Sequence, residues 1–257
     1  MGFRHKRVQR VRRLLNQSSY RRSERAFVVE GPQLVDEAVR AGAELEGVYV
    51  APEGMVDPVV ERAGNAGIRV FPLGRGVIER VSDTASAQPV LAVAPMPAAS
   101  LDGLHDAGFV VVCVDVRDPG NLGTVLRTAE AAGVDGVICT EGTVDAYNPK
   151  SVRASAGSVF NVTVVAGGEP VEVLEKLGAW GMRRLGTSSG GGTPYFGVDF
   201  TGRIAVVLGN EAHGLAGPAA DQVDEWTTIP MVGRAESLNV GMAAAVLCFE
   251  AARQRGS

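Results

Sequence analysis

The feature that most constrains the fold is a unit that recurs in the second half of the chain: an apolar run, a glycine-containing turn and a helical pattern. The first run, GFVVVCVDV at 108–116, is almost continuously apolar, which is typical of a strand buried on both faces of a parallel sheet. Further strand candidates follow at 135–140, 160–165, 183–188, 203–209 and 225–230, and an apolar helical stripe lies at 239–253. Strands that alternate with helices in this way predict an α/β fold with a mostly parallel sheet.

A smaller α/β pattern precedes this region. Residues 26–42 predict a strand, a Gly-Pro break and a helix. Further strands are expected at 47–52, 68–72 and 90–94, with helices around 57–66 and 74–81. A stretch rich in Pro, Ala, Ser and Gly then indicates a linker, which can include one short helix. We therefore expect one domain over 1–95, a linker over 96–107 and a second domain over 108–257.

Charge is distributed unevenly along the chain. The net charge of −4 argues mildly against a nucleic-acid partner, but residues 1–25 hold nine basic residues and one acidic residue, Glu24. Such a segment is typical of RNA binding, of a disordered tail or of a solvated helix face. The basic residues are Arg4, Lys6, Arg7, Arg10, Arg12, Arg13, Arg21, Arg22 and Arg25.

Several function classes are disfavoured by composition. No window holds the roughly 18 consecutive apolar residues of a membrane span, and no apolar block follows the arginine-rich start. We expect a cytoplasmic protein without a membrane segment. Cys113, Cys139 and Cys248 stand singly in apolar runs, which predicts reduced core residues and neither a disulfide framework nor a metal site.

Three segments place polar residues directly after predicted buried strands, where open α/β sheets bind ligands. The first motif, DVRDPGNLGTVLRTAEAAG at 115–133, carries Asn121 and Arg127, which by themselves are most simply a helix N-cap and a surface charge. The second motif, VVLGNEAHGL at 206–215, carries Glu211 and His213. A histidine without a partner carboxylate at readable spacing is more often a structural hydrogen-bonding residue than a general base.

The third motif, IPMVGRAESLNVGMAAAVLCFEAAR at 229–253, presents Glu236, Ser237 and Asn239 before a helix, and Ser237 and Asn239 are N-cap candidates. A nicotinamide-dependent oxidoreductase would also use buried parallel strands. However, the chain lacks the GxGxxG fingerprint in the first motif, and it lacks the GxxxxGK[ST] pattern of a phosphate-binding loop there too. Neither nucleotide-binding motif explains these turns.

Taken together, the three motifs resemble those of the SpoU (TrmH-like) ribose 2′-O-methyltransferases, a branch of the knotted SPOUT superfamily. The resemblance rests on ordered identities in all three segments and on NPKSVRASAGSVF at 148–160. Residues 26–94, with VVEGPQLVDEA and VSDTASAQPVLAVA, are similar to the L30e-like substrate-binding domain of many members. The matching positions are Asn121 and Arg127, then Gly209 and Glu211, then Ser237, Leu238 and Asn239 behind Ile229, Pro230 and Met231.

This resemblance implies a trefoil-knotted catalytic domain that binds S-adenosylmethionine and needs no metal. It also implies a homodimer through the catalytic domain, with the last helix and the first motif near the interface. It assigns Arg127, Asn121, Glu211, Ser237 and Asn239 to catalysis. The implied cofactor contacts are Thr187, Leu208, Gly209, Asn210, Ile229, Met231, Ser237, Leu238 and Asn239.

The implied reaction is methylation of a ribose 2′-hydroxyl in structured RNA, with 23S ribosomal RNA favoured. A tRNA substrate and a non-catalytic ribosome-assembly module on the same fold are the alternatives. Some relatives confer antibiotic resistance, and nothing in the sequence separates that role from housekeeping modification. Arg127 is expected to bind the adjacent phosphate and stabilise the developing alkoxide, while a phosphate oxygen or solvent accepts the proton. A guanidinium keeps its proton at neutral pH, so Arg127 is poorly suited to act as a general base.

Overall fold

A computed structural model of the protein describes residues 1–82 and 87–256. The chain divides into two compact units. Unit 1 comprises residues 1–97 and 147–160, and unit 2 comprises residues 98–146 and 161–257. Part of the VSDTASAQPVLAVA motif, residues 83–86, lies outside the described residues. No helix in the described ranges is both long and apolar enough to cross a lipid bilayer.

Unit 1 is built on a four-stranded mixed sheet in the part of the chain that the structure describes. The strands are β1 Ala26–Glu30, β2 Gly47–Val50, β3 Val70–Pro72 and β4 Val90–Pro95. They lie in the order β1-β4-β2-β3, with β4 antiparallel to both β1 and β2, whereas β2 and β3 are parallel. The helices are α1 Lys6–Asn16, α2 Ser18–Glu24, α3 Pro32–Arg40, α4 Pro58–Asn65, α5 Ile78–Val81 and, from later in the chain, α7 Pro149–Ala154.

Residues 147–160 pack with unit 1, although the sequence predicts a catalytic domain over all of 108–257. The physical reason is a shared core: the ring of Phe27 on β1 lies 4.8 Å from that of Tyr147 and 6.1 Å from that of Phe160. Arg153 also forms an ion pair of 2.5 Å with the buried carboxylate of Glu30. These contacts are absent from any local sequence pattern, because they join residues more than 100 positions apart.

Unit 2 contains a sheet of seven strands within the described residues, in the order β7-β6-β5-β10-β8-β11-β9, and every pairing is parallel. The strands are β5 Phe109–Cys113, β6 Gly136–Cys139, β7 Thr163–Ala166, β8 Arg183–Thr187, β9 Thr193–Pro194, β10 Ile204–Leu208 and β11 Glu225–Thr228. The helices are α6 Pro119–Ala131, α8 Pro170–Ala179 and α9 Val240–Arg255.

The buried centre of this sheet follows from composition, because β5 and β10 consist of apolar residues that are buried at every position. Cys113, Cys139 and Cys248 are free and buried, which confirms their expected place in the core. The predicted α/β class with a mostly parallel sheet is confirmed. The threading of the C-terminal segment through a loop stays a prediction.

Candidate functional site

The site lies where the strand order of unit 2 reverses. β5 is followed in sequence by β6 on one side, whereas its other neighbour in the sheet is β10. Such a switch point leaves a crevice at the carboxyl ends of the two strands. The strands end level with each other, since Leu208 pairs with Cys113 and the N–H of Val114 donates to the Leu208 carbonyl at 2.8 Å. The first and second motifs therefore begin side by side.

The second-motif loop closes on itself through glycine and asparagine. A Cβ on Gly209 would come within 2.2 Å of the backbone of Gly214 and Leu215, so only glycine fits there. The Asn210 side chain then spans two loops. Its Nδ2 donates to the Asp115 carbonyl at 2.9 Å, and its Oδ1 accepts the N–H groups of residues 212 and 213. The loop is held rigidly against the first motif.

Glu211 fastens the first motif to the second. Its carboxylate accepts the backbone N–H groups of Arg117 and Asp118 at 3.1 and 3.0 Å and the Nδ2 of Asn121 at 2.9 Å. Burial is the largest influence and raises the pKa of this carboxyl, but these hydrogen bonds together outweigh it and hold the pKa below its ordinary value. Glu211 is thus an ionised acceptor that fixes the geometry of the loops.

The third motif joins the same network through Asn239. Its Nδ2 donates to Oδ1 of Asn121 at 2.6 Å, while its Oδ1 accepts the N–H of Gly241 at 2.9 Å and so caps α9. A Cβ on Gly241 would lie 2.9 Å from the side chain of Thr124 on α6, so glycine permits the close approach of the two helices. The predicted N-cap role of Asn239 is confirmed. Asn121, by contrast, occupies the third position of α6, and Asp118 is the cap.

A cavity of about 610 Å³ opens beside this network. Residues from the loops after β8, β10 and β11 line it together with Asn121 from α6. The predicted residues that line it are Asn121, Thr187, Gly209, Asn210, Glu211, Ile229, Met231, Ser237, Leu238 and Asn239. The three motifs therefore converge on one space, as the sequence predicts.

Two predicted residues do not line the cavity in the described part of the chain. Leu208 is fully buried in β10, where its carbonyl is already used by Val114. Arg127 is exposed on α6, six residues beyond Asn121, and forms no hydrogen bond or ion pair with the described residues. Its charge is therefore available to a partner molecule rather than to the cavity wall.

Several lining residues lie outside the predicted sets of catalytic residues and cofactor contacts. Ser188 and Ser189 follow β8 and belong to the glycine-rich stretch SSGGG at 188–192, which could have marked a ligand-binding turn. Glu236 and His213 also line the cavity. The imidazole of His213 is exposed and forms no hydrogen bond with the described residues, which differs from the structural hydrogen-bonding role that the sequence favours.

The basic N-terminal segment is folded. Helix α1 buries Val8, Val11, Leu14 and Leu15 in the core of unit 1, which rules out a disordered tail. Deleting residues 1–25 would therefore remove part of that core. Point substitutions are the sharper test of its charges.

The arginines of this segment fall into two groups. Arg10 is paired with Glu24 and Glu46 at 2.7 and 2.6 Å, and these hydrogen bonds raise its pKa. Arg21 is buried and donates to the carbonyls of residues 14 and 15. The others are exposed, some with the guanidinium over an aromatic ring, such as Arg13 at 3.7 Å from the centre of Tyr20. The exposed members are Arg4, Lys6, Arg7, Arg12, Arg13, Arg22 and Arg25.

Comparison with known proteins agrees with these observations. Residues 108–249 match the model of the SpoU rRNA Methylase family, and residues 5–92 match the MRM3-like substrate binding domain. The chain is 35% identical to the 23S rRNA (guanosine(2553)-2′-O)-methyltransferase RlmP of Bacillus subtilis, over 87% of each chain. It is 38% identical to the 23S rRNA (uridine(2479)-2′-O)-methyltransferase of Streptomyces viridochromogenes, over 65% of this chain and 60% of that one.

Among solved structures, the SpoU methyltransferase AviRb from Streptomyces viridochromogenes, in complex with the cofactor AdoMet, superposes with a TM-score of 0.88. That match is 30% identical and covers 99% of both chains. The family resemblance inferred from the three motifs is confirmed. With its catalytic-domain match spanning more than half of its length, this chain is a member of the SpoU family of RNA methyltransferases.

Proposed function

We propose that this protein transfers a methyl group from S-adenosylmethionine to a ribose 2′-hydroxyl of 23S ribosomal RNA. The observation that carries this proposal is the convergence of the three motif loops, tied together through Glu211, Asn121 and Asn239, on one cavity. Relatives named for the same reaction support the ribosomal substrate over tRNA.

The cavity suits the cofactor in size and chemistry. Its volume of about 610 Å³ falls within the range of sites for ligands of this size. Ile229, Met231 and Leu238 offer apolar contacts for an adenine ring, and Thr187 and Ser237 offer hydroxyl groups. Gly209 lines the cavity with its backbone, which a ligand can approach closely because no side chain intervenes. The cofactor supplies an activated methyl group on a positively charged sulfur.

The protein contributes alignment and charge. The network of Asn121, Glu211 and Asn239 holds the three loops in a fixed arrangement, which a one-step displacement requires. Arg127 lies about 9 Å along α6 from Asn121, given the rise of 1.5 Å per residue. Its exposed guanidinium is suited to a phosphate next to the target ribose, where it stabilises the alkoxide that develops on the oxygen.

RNA binding is assigned to the exposed basic residues of the N-terminal segment, together with Arg127. Structured RNA is held largely through phosphate and shape contacts. An exposed cation can contribute to such binding, whereas Arg10 and Arg21 have their hydrogen-bond donors engaged within the protein. The proposed RNA surface is therefore smaller than the sequence predicts.

The test is a transfer assay with methyl-labelled cofactor and purified 23S rRNA, 16S rRNA and tRNA as substrates. We expect label in 23S rRNA alone, at one ribose whose position is mapped by resistance of the 2′-O-methylated linkage to alkaline cleavage. Label in tRNA would identify tRNA as the substrate instead. Binding of 23S rRNA without transfer of label would support a non-catalytic assembly module.

A homodimer through α9 is also proposed, in the cytoplasm where ribosomes are assembled. Met242 and Phe249 on α9 are 60% and 52% exposed, and Phe196, in a turn that packs on α9, is 64% exposed. Large exposed apolar groups of this kind mark interaction surfaces. Light scattering should give a dimer for the native chain and a monomer for Phe249→Glu. Val56→Glu, at a residue that is 89% exposed in unit 1, is the matched control.

A further inference from the structure

Methyl transfer to a hydroxyl releases a proton, for which a protein side chain is an alternative acceptor to the phosphate oxygen or solvent expected from the sequence. In the described lining of the cavity, the side chains able to accept it are the carboxylates of Glu211 and Glu236 and the imidazole of His213. Glu211 already accepts three hydrogen bonds from the first motif. A carboxylate is also a weaker base than an imidazole at neutral pH. His213 is the best-suited group of the three.

The backbone of His213 is held in place while its ring is free. Its N–H donates to Oδ1 of Asn210 at 3.2 Å. Asn210 and Gly214 exchange backbone hydrogen bonds of 3.0 and 2.8 Å across the loop, and Gly214 has the left-handed φ of +65° that this tight turn requires. The imidazole is exposed at the cavity and has no hydrogen bond to the described residues. It can therefore bind a hydroxyl that enters the site.

Negative charge prevails around the cavity. Glu211 and Glu236 line the same space, and the loop bonded to Glu211 adds Asp115, Arg117 and Asp118. Arg117 is paired with Asp115 at 2.9 Å, which leaves an excess of negative charge. These carboxylates attract the positive charge that develops on the ring as the proton is transferred.

We propose that His213 is a catalytic residue that accepts the proton of the ribose 2′-hydroxyl during methyl transfer. This role rests on the proposed function. As the oxygen–carbon bond forms, the carbon–sulfur bond breaks and its electron pair goes to sulfur, which becomes neutral. The hydroxyl proton goes to a ring nitrogen of His213 and later to solvent. Arg127 then has only the phosphate and the developing alkoxide to stabilise.

The experiment compares native enzyme, His213→Gln and His213→Ala, with His105→Gln as the control. His105 is also exposed and in unit 2, but it is paired with Asp106 and does not line the cavity. Single-turnover rates with 23S rRNA are measured from pH 5.5 to 9, and the affinity for S-adenosylhomocysteine is measured by calorimetry. We expect H213Q to lower the rate about 100-fold with unchanged affinity for that ligand. It should also abolish the loss of rate at acid pH, and added imidazole should partly restore H213A.

A second measurement does not depend on activity. The chain has only three histidines, so the ring signals of His213 can be assigned in an NMR spectrum as those missing from H213Q. An RNA fragment containing the target ribose, added with S-adenosylhomocysteine, should shift those signals and leave those of His105 unchanged. Unshifted signals, or a rate for H213Q within threefold of native at every pH, would overturn the role of His213. If native enzyme methylates no RNA at all, the proposed function fails as well.

Discussion

The cavity of unit 2 and the basic helices of unit 1 use polar residues in opposite ways. At the cavity, Glu211, Asn121 and Asn239 bond to one another, so each side chain fixes the position of the next. On α1 and α2 most of the basic side chains are exposed and have no carboxylate partner among the described residues, as with Arg12 and Arg22. Methyl transfer requires the reacting atoms to be aligned, whereas the electrostatic part of RNA affinity depends on how many cations contact phosphates. Single substitutions should therefore be severe at the cavity and mild on the helices.

The largest effect is expected for Gly209→Ala. The new Cβ would meet the backbone of Gly214 and Leu215 at 2.2 Å, so the second-motif loop must move and carry Glu211 with it. We expect methyl transfer to fall more than 1000-fold, roughly 4 kcal/mol of transition-state stabilisation, and cofactor binding to be lost in calorimetry. Gly103→Ala is the control, since its nearest neighbour would be 3.7 Å away. Normal cofactor affinity in G209A would show that the loop tolerates the change.

The second-largest effect is expected for Arg127→Ala. It tests whether an exposed side chain contributes to the rate of methyl transfer as much as the hydrogen-bonded residues at the cavity do. We expect the rate to fall about 100- to 1000-fold, the range for loss of a group that stabilises charge in the transition state. Cofactor affinity should be unchanged, because Arg127 does not line the cavity in the described structure. Arg75→Ala, which removes an exposed arginine outside the three motifs and α9, is the control. Near-normal turnover in R127A would remove Arg127 from the mechanism.

Glu211→Gln should have a smaller but still large effect. One oxygen becomes an NH₂ group that faces N–H donors, so at least one hydrogen bond to the first motif is lost. We expect a decrease of about 30-fold in kcat/KM, roughly 2 kcal/mol, and a looser first motif in hydrogen exchange. If E211Q kept full activity, the network would not be what holds the loops together.

The same residue predicts a pH dependence of stability. The pKa of Glu211 is lower in the folded protein than its ordinary value of 4.5, so ionisation stabilises the fold above that value. This contribution is lost as the pH falls from about 4.5 through the folded pKa. Thermal unfolding measured from pH 7 to pH 3 should therefore show a steeper loss for the native chain than for E211Q. Parallel curves would contradict the hydrogen-bonded carboxylate.

The parts of this site that the sequence predicts are those encoded by short segments. The apolar runs of β5 and β10 predict buried parallel strands, and Asn239 before an apolar helix predicts a cap. What could not be predicted depends on neighbours distant in sequence. The hydrogen bond between Asn121 and Asn239 joins residues 118 positions apart, and Asn210 fixes the second-motif loop by a hydrogen bond to the Asp115 carbonyl, 95 positions away.

For the basic helices too, the local sequence predicts some properties, whereas others depend on residues distant in sequence. The density of positive charge predicts an RNA-binding segment, but it does not show which arginines are paired within the protein. Arg10 is engaged because Glu46, 36 positions away, lies beside α1 in the folded unit. The pattern of residues 147–160 likewise gives no sign that they complete the core of unit 1 through Tyr147 and Phe160.

The smallest effects are expected on α1 and α2, where they distinguish available charges from engaged ones. Arg12→Gln and Arg22→Gln each remove an exposed cation, so each should weaken RNA binding about threefold and lower the slope of log affinity against log salt by about 1. Arg10→Gln removes a cation whose partners are Glu24 and Glu46. It should leave the salt slope unchanged and reduce the free energy of unfolding by up to about 1 kcal/mol. Fluorescence anisotropy at several salt concentrations and denaturant unfolding separate the two classes. If R10Q changed the salt slope as much as R22Q does, the ion pairs of Arg10 would have to open when RNA binds, and the boundary between engaged and available arginines would disappear.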